Sequence, residues 1–273
     1  MCKNLFLMEA VWTRYFPLSI YVRDIITSGR LGTVYRAQAD NSMAMQPEKS
    51  FPDNKHRMVN MDLAGGALLD LGIYSLTWIF QTLYHTQPEN ARQPPKVVAA
   101  LRQYPATGAD DMTTMVLTFP RSKELGGDAH GIATTAMRVS GDPDGKLSAG
   151  PVVRIQGDKG EIQVFHPIFR PTKTKLVLGD GTVEEKNWPQ PGPGTGSGWK
   201  NGFGGETNSE GEGHGMFWEA DEAATALVEG RKEGKYESLE ESVVIMEVMD
   251  EVRRQGGMKY PEKIESTDYP IDL

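Results

Sequence analysis

Residues Gly65 to Tyr84 read GGALLDLGIYSLTWIFQTLY, apolar on nearly every side of a helical projection. A helix of that kind has no face to give to water and must be enclosed. The residues that follow offer a cover. Val97 to Tyr104, Met112 to Phe119, Gly131 to Val139, Val152 to Gln156 and Gly160 to Phe165 each read as a strand, most of them separated by short turns containing Gly, Asp or Pro. Lys175 to Leu178 continues the series, and Gly179-Asp180-Gly181 turns it into Val183 and Glu185. Strands in series joined by tight turns predict an antiparallel meander.

Upstream, Pro17 opens a helix whose apolar residues Leu18, Tyr21, Val22, Ile25 and Ile26 recur at helical spacing until Gly29 and Gly32 end it. Thr33 to Asp40 alternates as a strand, and residues 41–60 read as an irregular loop. Leu5 to Ala10 (LFLMEA) has the nearly continuous apolar character of a strand buried on both faces of a parallel sheet. Only four residues precede it, so its neighbours come from later in the chain or are missing. Downstream, Pro189 to Gly215 is a long Gly- and Pro-rich loop. Two helices close the chain. Met216 to Glu229 is expected to turn Phe217, Ala220, Ala224, Leu227 and Val228 inward; Leu239 to Arg253 is expected to turn in Val243, Met246 and Met249 or Val252. The order of elements makes the fold class α+β.

Composition narrows the function classes. With 273 residues and 38% apolar content the chain can build a substantial core. A net charge of -8 and the lack of any basic run argue against nucleic acid as a partner. Cys2 is the single cysteine, so there is no disulfide framework and no cysteine-based zinc site, which fits a reducing, cytoplasmic setting. Leu5 to Met8 is too short for a signal core, and no run is expected to reach the roughly 20 apolar residues of a membrane span. The five histidines lack ligand spacing, so no metal is expected.

Four ordered stretches carry a resemblance: Leu5 to Pro17 (LFLMEAVWTRYFP), Gly65 to Leu76 (GGALLDLGIYSL), Gly108 to Phe119 (GADDMTTMVLTF) and Gly215 to Gly230 (GMFWEADEAATALVEG). The sequence is similar to the Gfo/Idh/MocA oxidoreductases, in the branch of NADP-dependent D-xylose dehydrogenases and dimeric trans-dihydrodiol dehydrogenases. The resemblance implies the family's carboxy-terminal domain, a large open, mostly antiparallel sheet with helices packed on one face and the other face meeting a partner subunit. It also implies that residues 1–16 are a remnant of the last Rossmann strand and a linker, and that residues 17–273 form the substrate-binding and dimerisation domain. The family's amino-terminal Rossmann domain, with its Gly-rich turn and its Glu-Lys-Pro lysine motif, is absent from this sequence. A missing region on the order of 120 residues, one ordinary domain, follows from that comparison. NADP is then the family's cofactor, which this chain alone is not expected to hold tightly.

Asp70 and Tyr74, four apart on the apolar helix, share one face about a turn apart. A phenol can pass a proton to or from a substrate hydroxyl while a carboxylate orients it. The resemblance gives Tyr74 the role of acid/base and Asp70 that of its helper. By spacing alone, the pair could equally be a buried, hydrogen-bonded Asp and a core Tyr. Trp12, Arg14 and Phe16 are the candidates for substrate binding: aromatic faces stack on rings, and a guanidinium offers fixed donors. Core packing for Trp12 and Phe16 and a surface ion pair for Arg14 are the competing readings. Asp110 and Asp111, adjacent on a strand, point to opposite faces and suit a turn better than joint chemistry. Gly192 to Gly198 (GPGTGSG) has no strand before it or helix after it, so it is a flexible loop and not a phosphate turn. Gly204 to Gly215 reads as a lid.

Three functions remain open at this stage. The first is an NAD(P)-dependent oxidoreductase-like protein acting on a sugar or dihydrodiol hydroxyl. The second is a cofactor-free isomerase or cyclase using Asp70 and Tyr74. The third is a non-catalytic protein that forms homo-oligomers through the sheet face.

Overall fold

The computed structural model describes residues 5–199 and 210–268. Cys2 and residues 204–209 of the expected lid lie outside them. Eight strands form one sheet: β1 (Val34–Ser42), β2 (Lys96–Gln103), β3 (Asp110–Phe119), β4 (Ala129–Ala136), β5 (Val153–Gly157), β6 (Gly160–Val164), β7 (Lys173–Leu178) and β8 (Val183–Asn187). Their spatial order is β2-β3-β4-β1-β5-β6-β7-β8. Every neighbouring pair is antiparallel except β1 with β4. Within the two meanders, β2 to β4 and β5 to β8, tight turns join β5 to β6 and β7 to β8 while longer loops make the other connections, and β1, first in sequence, lies between them. The fold is α+β, with an open mixed sheet.

The register shows how the sheet acquires two different faces. One row across it runs Val97, Leu117, Gly131, Ala37, Ile155, Ile162 and Leu176. The next row runs Val98, Val116, Ile132, Gln38, Arg154, Gln163, Lys175 and Glu185. Because side chains alternate along each strand, the first row lies under helices and the second does not.

The apolar helix crosses the covered face over β1 and β4. It begins as a π turn (Leu68–Gly72) that continues into the α-helix Ile73–Leu83. We label α1 as Pro17–Thr27 and α2 as Ile73–Leu83. Trp78, Ile79, Phe80 and Leu76 of α2 are fully buried. The approach is close: a Cβ added to Gly131 would lie 2.5 Å from Cγ2 of Ile79, so only glycine fits there. Polar side chains satisfy the irregular start of the helix. Asp110 accepts from the Leu68 N–H at 2.8 Å, and the Asn41 side chain donates to the Leu71 carbonyl at 3.0 Å. Asp110 is thus a cap, and Asp111 instead pairs with Arg138 at 2.6 Å. The two carboxylates do not act together.

Four expectations are corrected. Leu5 to Ala10 forms no strand; Leu5 and Leu7 are 70% and 61% exposed, and Leu7 makes a backbone bond to the Lys232 carbonyl. With no neighbouring strand, apolar character alone gives no ladder to join. The stretch Met61–Leu83 is, by length and composition, long and apolar enough to cross a membrane, but 67% of its apolar window is buried inside the domain. Helix α3 (Phe217–Val228) buries only Ala226, while Leu227 and Val228 face outward. Helix α4 (Leu239–Gln255) has the expected period but a shifted phase. Its buried stripe is Glu241, Val244, Ile245, Val248, Met249 and Val252, with Val243 and Met246 exposed. A run of four apolar residues at 243–246 leaves the phase open, and an inward-facing Glu241 sets it.

Candidate active site

The turn Trp12–Tyr15 brings the amino-terminal segment against the helix that carries Tyr74. The Trp12 indole N–H donates to the Tyr74 hydroxyl at 2.9 Å across 62 residues of sequence. Phe169, from the loop between β6 and β7, completes an aromatic triangle. Its ring centre lies 5.8 Å from that of Tyr74 and 6.2 Å from that of Trp12. Two of the bonds that hold this loop flank Phe169: Trp78 donates to the Ile168 carbonyl at 2.9 Å and Thr13 to the Phe169 carbonyl at 2.5 Å. Phe169 was missed in the sequence because nothing local to HPIFRP marks it as a partner of residues 95 and 157 positions away.

Tyr74 is half-buried, and its phenol is raised above its ordinary value. Burial is the main cause; the indole bond from Trp12 opposes it, and the charges of Asp70 and Glu219 add to it. A phenol so placed stays protonated at neutral pH and is ready to donate. Asp70 sits in the π turn, partly exposed, and pairs with Arg57. Single π turns inside α-helices recur at functional positions because the extra residue re-aims neighbouring side chains.

Of the three candidates for substrate binding, the structure separates one from two. Trp12 bonds directly to Tyr74. Phe16 is fully buried and meets the Trp12 ring edge-on at 5.4 Å, so it supports Trp12 from behind. A Cβ on Gly215 would come within 2.6 Å of the Phe16 ring, which shows how closely the segment leading into α3 covers it. Arg14 corrects the expectation of donors for a substrate or cofactor. It is fully buried and paired with Glu241 and, at 3.3 Å, with Glu237. His85 Nδ1 lies 3.0 Å from the other Glu241 oxygen. Arg14 therefore joins the Trp12 turn to α4 through an ion pair closed off from water. The pair holds Glu241 below the usual carboxylate range, while burial pushes Glu237 above it.

Glu219, in the first turn of α3, is a further carboxylate near Tyr74 that sequence reasoning missed. Burial pushes it up to about 7. Arg170 fixes the approach to this helix by donating to the carbonyls of Gly213 at 2.7 Å and His214 at 3.0 Å. Trp218 then donates to the Gln190 side chain at 3.0 Å.

Residues 20–163 match the GFO/IDH/MocA C-terminal domain. The chain belongs to the Gfo/Idh/MocA family. It is 49% identical to a D-xylose 1-dehydrogenase (NADP(+)) of Hypocrea jecorina over 98% of this chain and 64% of that protein. It is 32% identical to the trans-1,2-dihydrobenzene-1,2-diol dehydrogenase of Bos taurus over 95% of this chain and 65% of that protein. The chain thus spans just under two thirds of the length of these Gfo/Idh/MocA relatives. Among solved structures, the fold is similar to an aldose-aldose oxidoreductase from Caulobacter crescentus in complex with glycerol. The TM-score is 0.61 at 19% identity, covering 90% of this chain and 60% of that one. It is also similar to a 3-ketoreductase from Actinomadura kijaniata in complex with NADP, with a TM-score of 0.62 at 17% identity, covering 93% and 63%.

The NADP of the Hypocrea jecorina and Actinomadura kijaniata proteins finds no cradle in the described residues. A dinucleotide site needs a Gly-rich turn between a parallel strand and a helix N-terminus, where backbone N–H groups meet the pyrophosphate. The one parallel pair here, β1 with β4, is reached through α2, β2 and β3 and contains no such turn. Among the described residues no cluster of His, Cys, Asp or Glu could hold a metal ion.

Proposed function

We propose that this chain supplies the substrate side of an NADP-dependent dehydrogenase acting on a sugar or dihydrodiol hydroxyl, with residues 17–273 as the substrate-binding and dimerisation body. The observation that supports this reading is the Trp12 to Tyr74 hydrogen bond, in which a buried indole N–H fixes the phenol oxygen. Tyr74 bonds to the reacting hydroxyl and carries its proton; Asp70 sets the local charge; Trp12, itself buried, shields the bond, and the half-buried Phe169 offers an apolar face to a ring. In the named fungal relative the oxidant is NADP. The work proposed for this chain is to bind and orient the substrate and to handle its proton.

Isothermal titration tests the assignment. D-xylose is expected to bind and to bind more weakly in Tyr74→Phe, while NADPH is expected to show no saturable binding below about 1 mM. Wherever turnover is measurable, Tyr74→Phe lowers kcat by about 100-fold, the scale of one general acid/base contribution. Tight NADPH binding by this chain alone would overturn the substrate-side assignment.

The raised phenol also favours a second reading, a cofactor-free isomerase or cyclase, because a protonated Tyr74 next to carboxylates can move protons without nicotinamide. Turnover in nucleotide-free buffer that disappears in Tyr74→Phe would select it.

The sheet face opposite the helices supports a homo-oligomer in either case. Val98 (71% exposed) and Val116 (44%) lie side by side with Ile132 on β2, β3 and β4, beyond which the row turns polar. An apolar strip rimmed by polar residues suits a partner copy. Light scattering is expected to give a dimer, and Val116→Lys, which places a charge at the centre of the strip, is expected to give a monomer with an unchanged far-UV spectrum.

A further inference from the structure

The helix that carries Tyr74 bears a polar stripe on an otherwise apolar surface. Tyr74, Thr77, Gln81 and His85 recur at helical spacing and share one side of α2 and its continuation. Tyr74 accepts from Trp12 at 2.9 Å, the Gln81 side-chain oxygen accepts from Arg23 of α1 at 2.7 Å, and His85 Nδ1 lies 3.0 Å from a Glu241 oxygen. Arg23 also donates to the Arg14 carbonyl at 3.0 Å, within the turn that carries Trp12. Each link from His85 to Tyr74 is therefore a contact: His85 to Glu241, Glu241 to Arg14, Arg14 to Trp12 within one short turn, and Trp12 to Tyr74.

One end of this seam can exchange a proton with water. The side chains of Arg14, Glu237 and Glu241 are fully enclosed, whereas that of His85 is 20% exposed. With Nδ1–H donated to Glu241, the proton that comes and goes is the one on Nε2. The imidazole faces Glu241 from α4, Arg14 from the Trp12 turn and Arg23 from α1. Arg92 donates to the His85 carbonyl at 2.7 Å, Glu240 borders the adjacent Tyr84, and Glu237 faces Arg14. Burial holds the imidazole below its ordinary value, and the two guanidinium groups push the same way against Glu241. An imidazolium here is repelled by both arginines and competes with Arg14 for Glu241. Arg14 is open to that competition, because it meets both carboxylates through Nη2 alone, with Nε and Nη1 enclosed and unbonded.

We propose that His85 is a positioning residue for the candidate site: a proton taken up on its imidazole draws Glu241 from Arg14 and loosens the hold of the Trp12 turn on Tyr74. The site is thereby ordered at neutral pH and relaxed in mild acid. The effect on ligand binding rests on the substrate-side reading above; the effect on Trp12 does not.

Fluorine NMR of the full chain labelled with fluorotryptophan tests this, with the Trp12 signal identified by Trp12→Phe. Between about pH 7.5 and about 5, the wild-type Trp12 signal is expected to shift with the same midpoint as the His85 imidazole proton signals. That midpoint lies below the ordinary histidine value of 6.5, and Trp188, bonded to Thr174, stays fixed. His85→Gln is expected to lose the shift and keep only a step at about 7 that belongs to Glu237. Over the same shift, D-xylose affinity by isothermal titration is expected to weaken roughly tenfold in the wild type and less than about twofold in His85→Gln. A purely structural His85 would lower the thermal midpoint of His85→Gln and leave the pH profile of Trp12 as in the wild type, which overturns the proposal. A wild-type Trp12 signal that stays flat while the imidazole titrates overturns it as well, whether or not His85→Gln folds. So does D-xylose binding that ignores the Trp12 shift. If Trp12 follows His85 but D-xylose binds at no pH, the positioning role stands and the substrate-side reading falls.

Discussion

Arg14→Met is expected to destabilise the protein by about 3–5 kcal/mol at pH 7, the cost of stripping one partner from a buried ion pair. The guanidinium is fully enclosed between Glu237 and Glu241 and joins the Trp12 turn to α4. Methionine fills much of the same volume, so the loss comes from carboxylates stranded out of water. Urea unfolding followed by circular dichroism measures it, and a companion variant separates charge from packing. Arg14→Met combined with Glu241→Gln should recover part of the loss, because one of the two stranded carboxylates is then gone.

The pH dependence has a definite sign. In the wild type Glu241 is held below its ordinary value, so its contribution to stability is present above about 4.5 and fades as pH falls toward the folded value. In Arg14→Met the same carboxyl loses its cation, and burial raises it; its penalty is then largest at neutral pH and shrinks on acidification. The stability gap between the two proteins should therefore narrow from pH 7 to about 4.5. A gap that is constant with pH would show that the Arg14 stem matters and its charge does not.

Trp78→Ala is expected to cost about 3–5 kcal/mol, the range for removing a buried aromatic side chain. Trp78 is fully buried at the centre of α2. Its indole also donates to the Ile168 carbonyl, one residue before Phe169. Two effects therefore combine: a cavity over the sheet, and a carbonyl left without its donor. Trp78→Phe separates them, since it keeps most of the ring and loses only the bond, at about 1–3 kcal/mol. The loop carrying Phe169 then keeps its Thr13 and Arg170 contacts but loses its anchor to α2, and D-xylose binding should weaken more than the drop in stability explains. Equal affinity in wild type and Trp78→Phe would mean that Phe169 does not need this anchor.

Local pattern carried much of the architecture. The strands after Pro95 announced themselves through alternation and turn residues, and Gly179-Asp180-Gly181 joins β7 to β8 as its chemistry requires. The all-round apolar helix of Gly65 to Tyr84 required enclosure and is enclosed. These features depend on residues close in sequence, where period and turn preference act. The likeness to the Gfo/Idh/MocA family was legible in four short stretches for the same reason.

Tertiary contact decided the rest. Whether an apolar hexapeptide becomes a strand depends on a neighbour to pair with, and Leu5 to Ala10 has none. Which way α4 faces was settled by Arg14, more than 220 positions away, drawing Glu241 inward against the hydropathy pattern. The roles within one short segment diverged likewise: Trp12 reaches Tyr74, Phe16 supports it, and Arg14 turns to the interior. Phe169 and Glu219 could not be found from sequence, because what singles them out is proximity across the fold. A one-dimensional pattern records which side chains prefer to be buried; only the packed chain determines which of them meet.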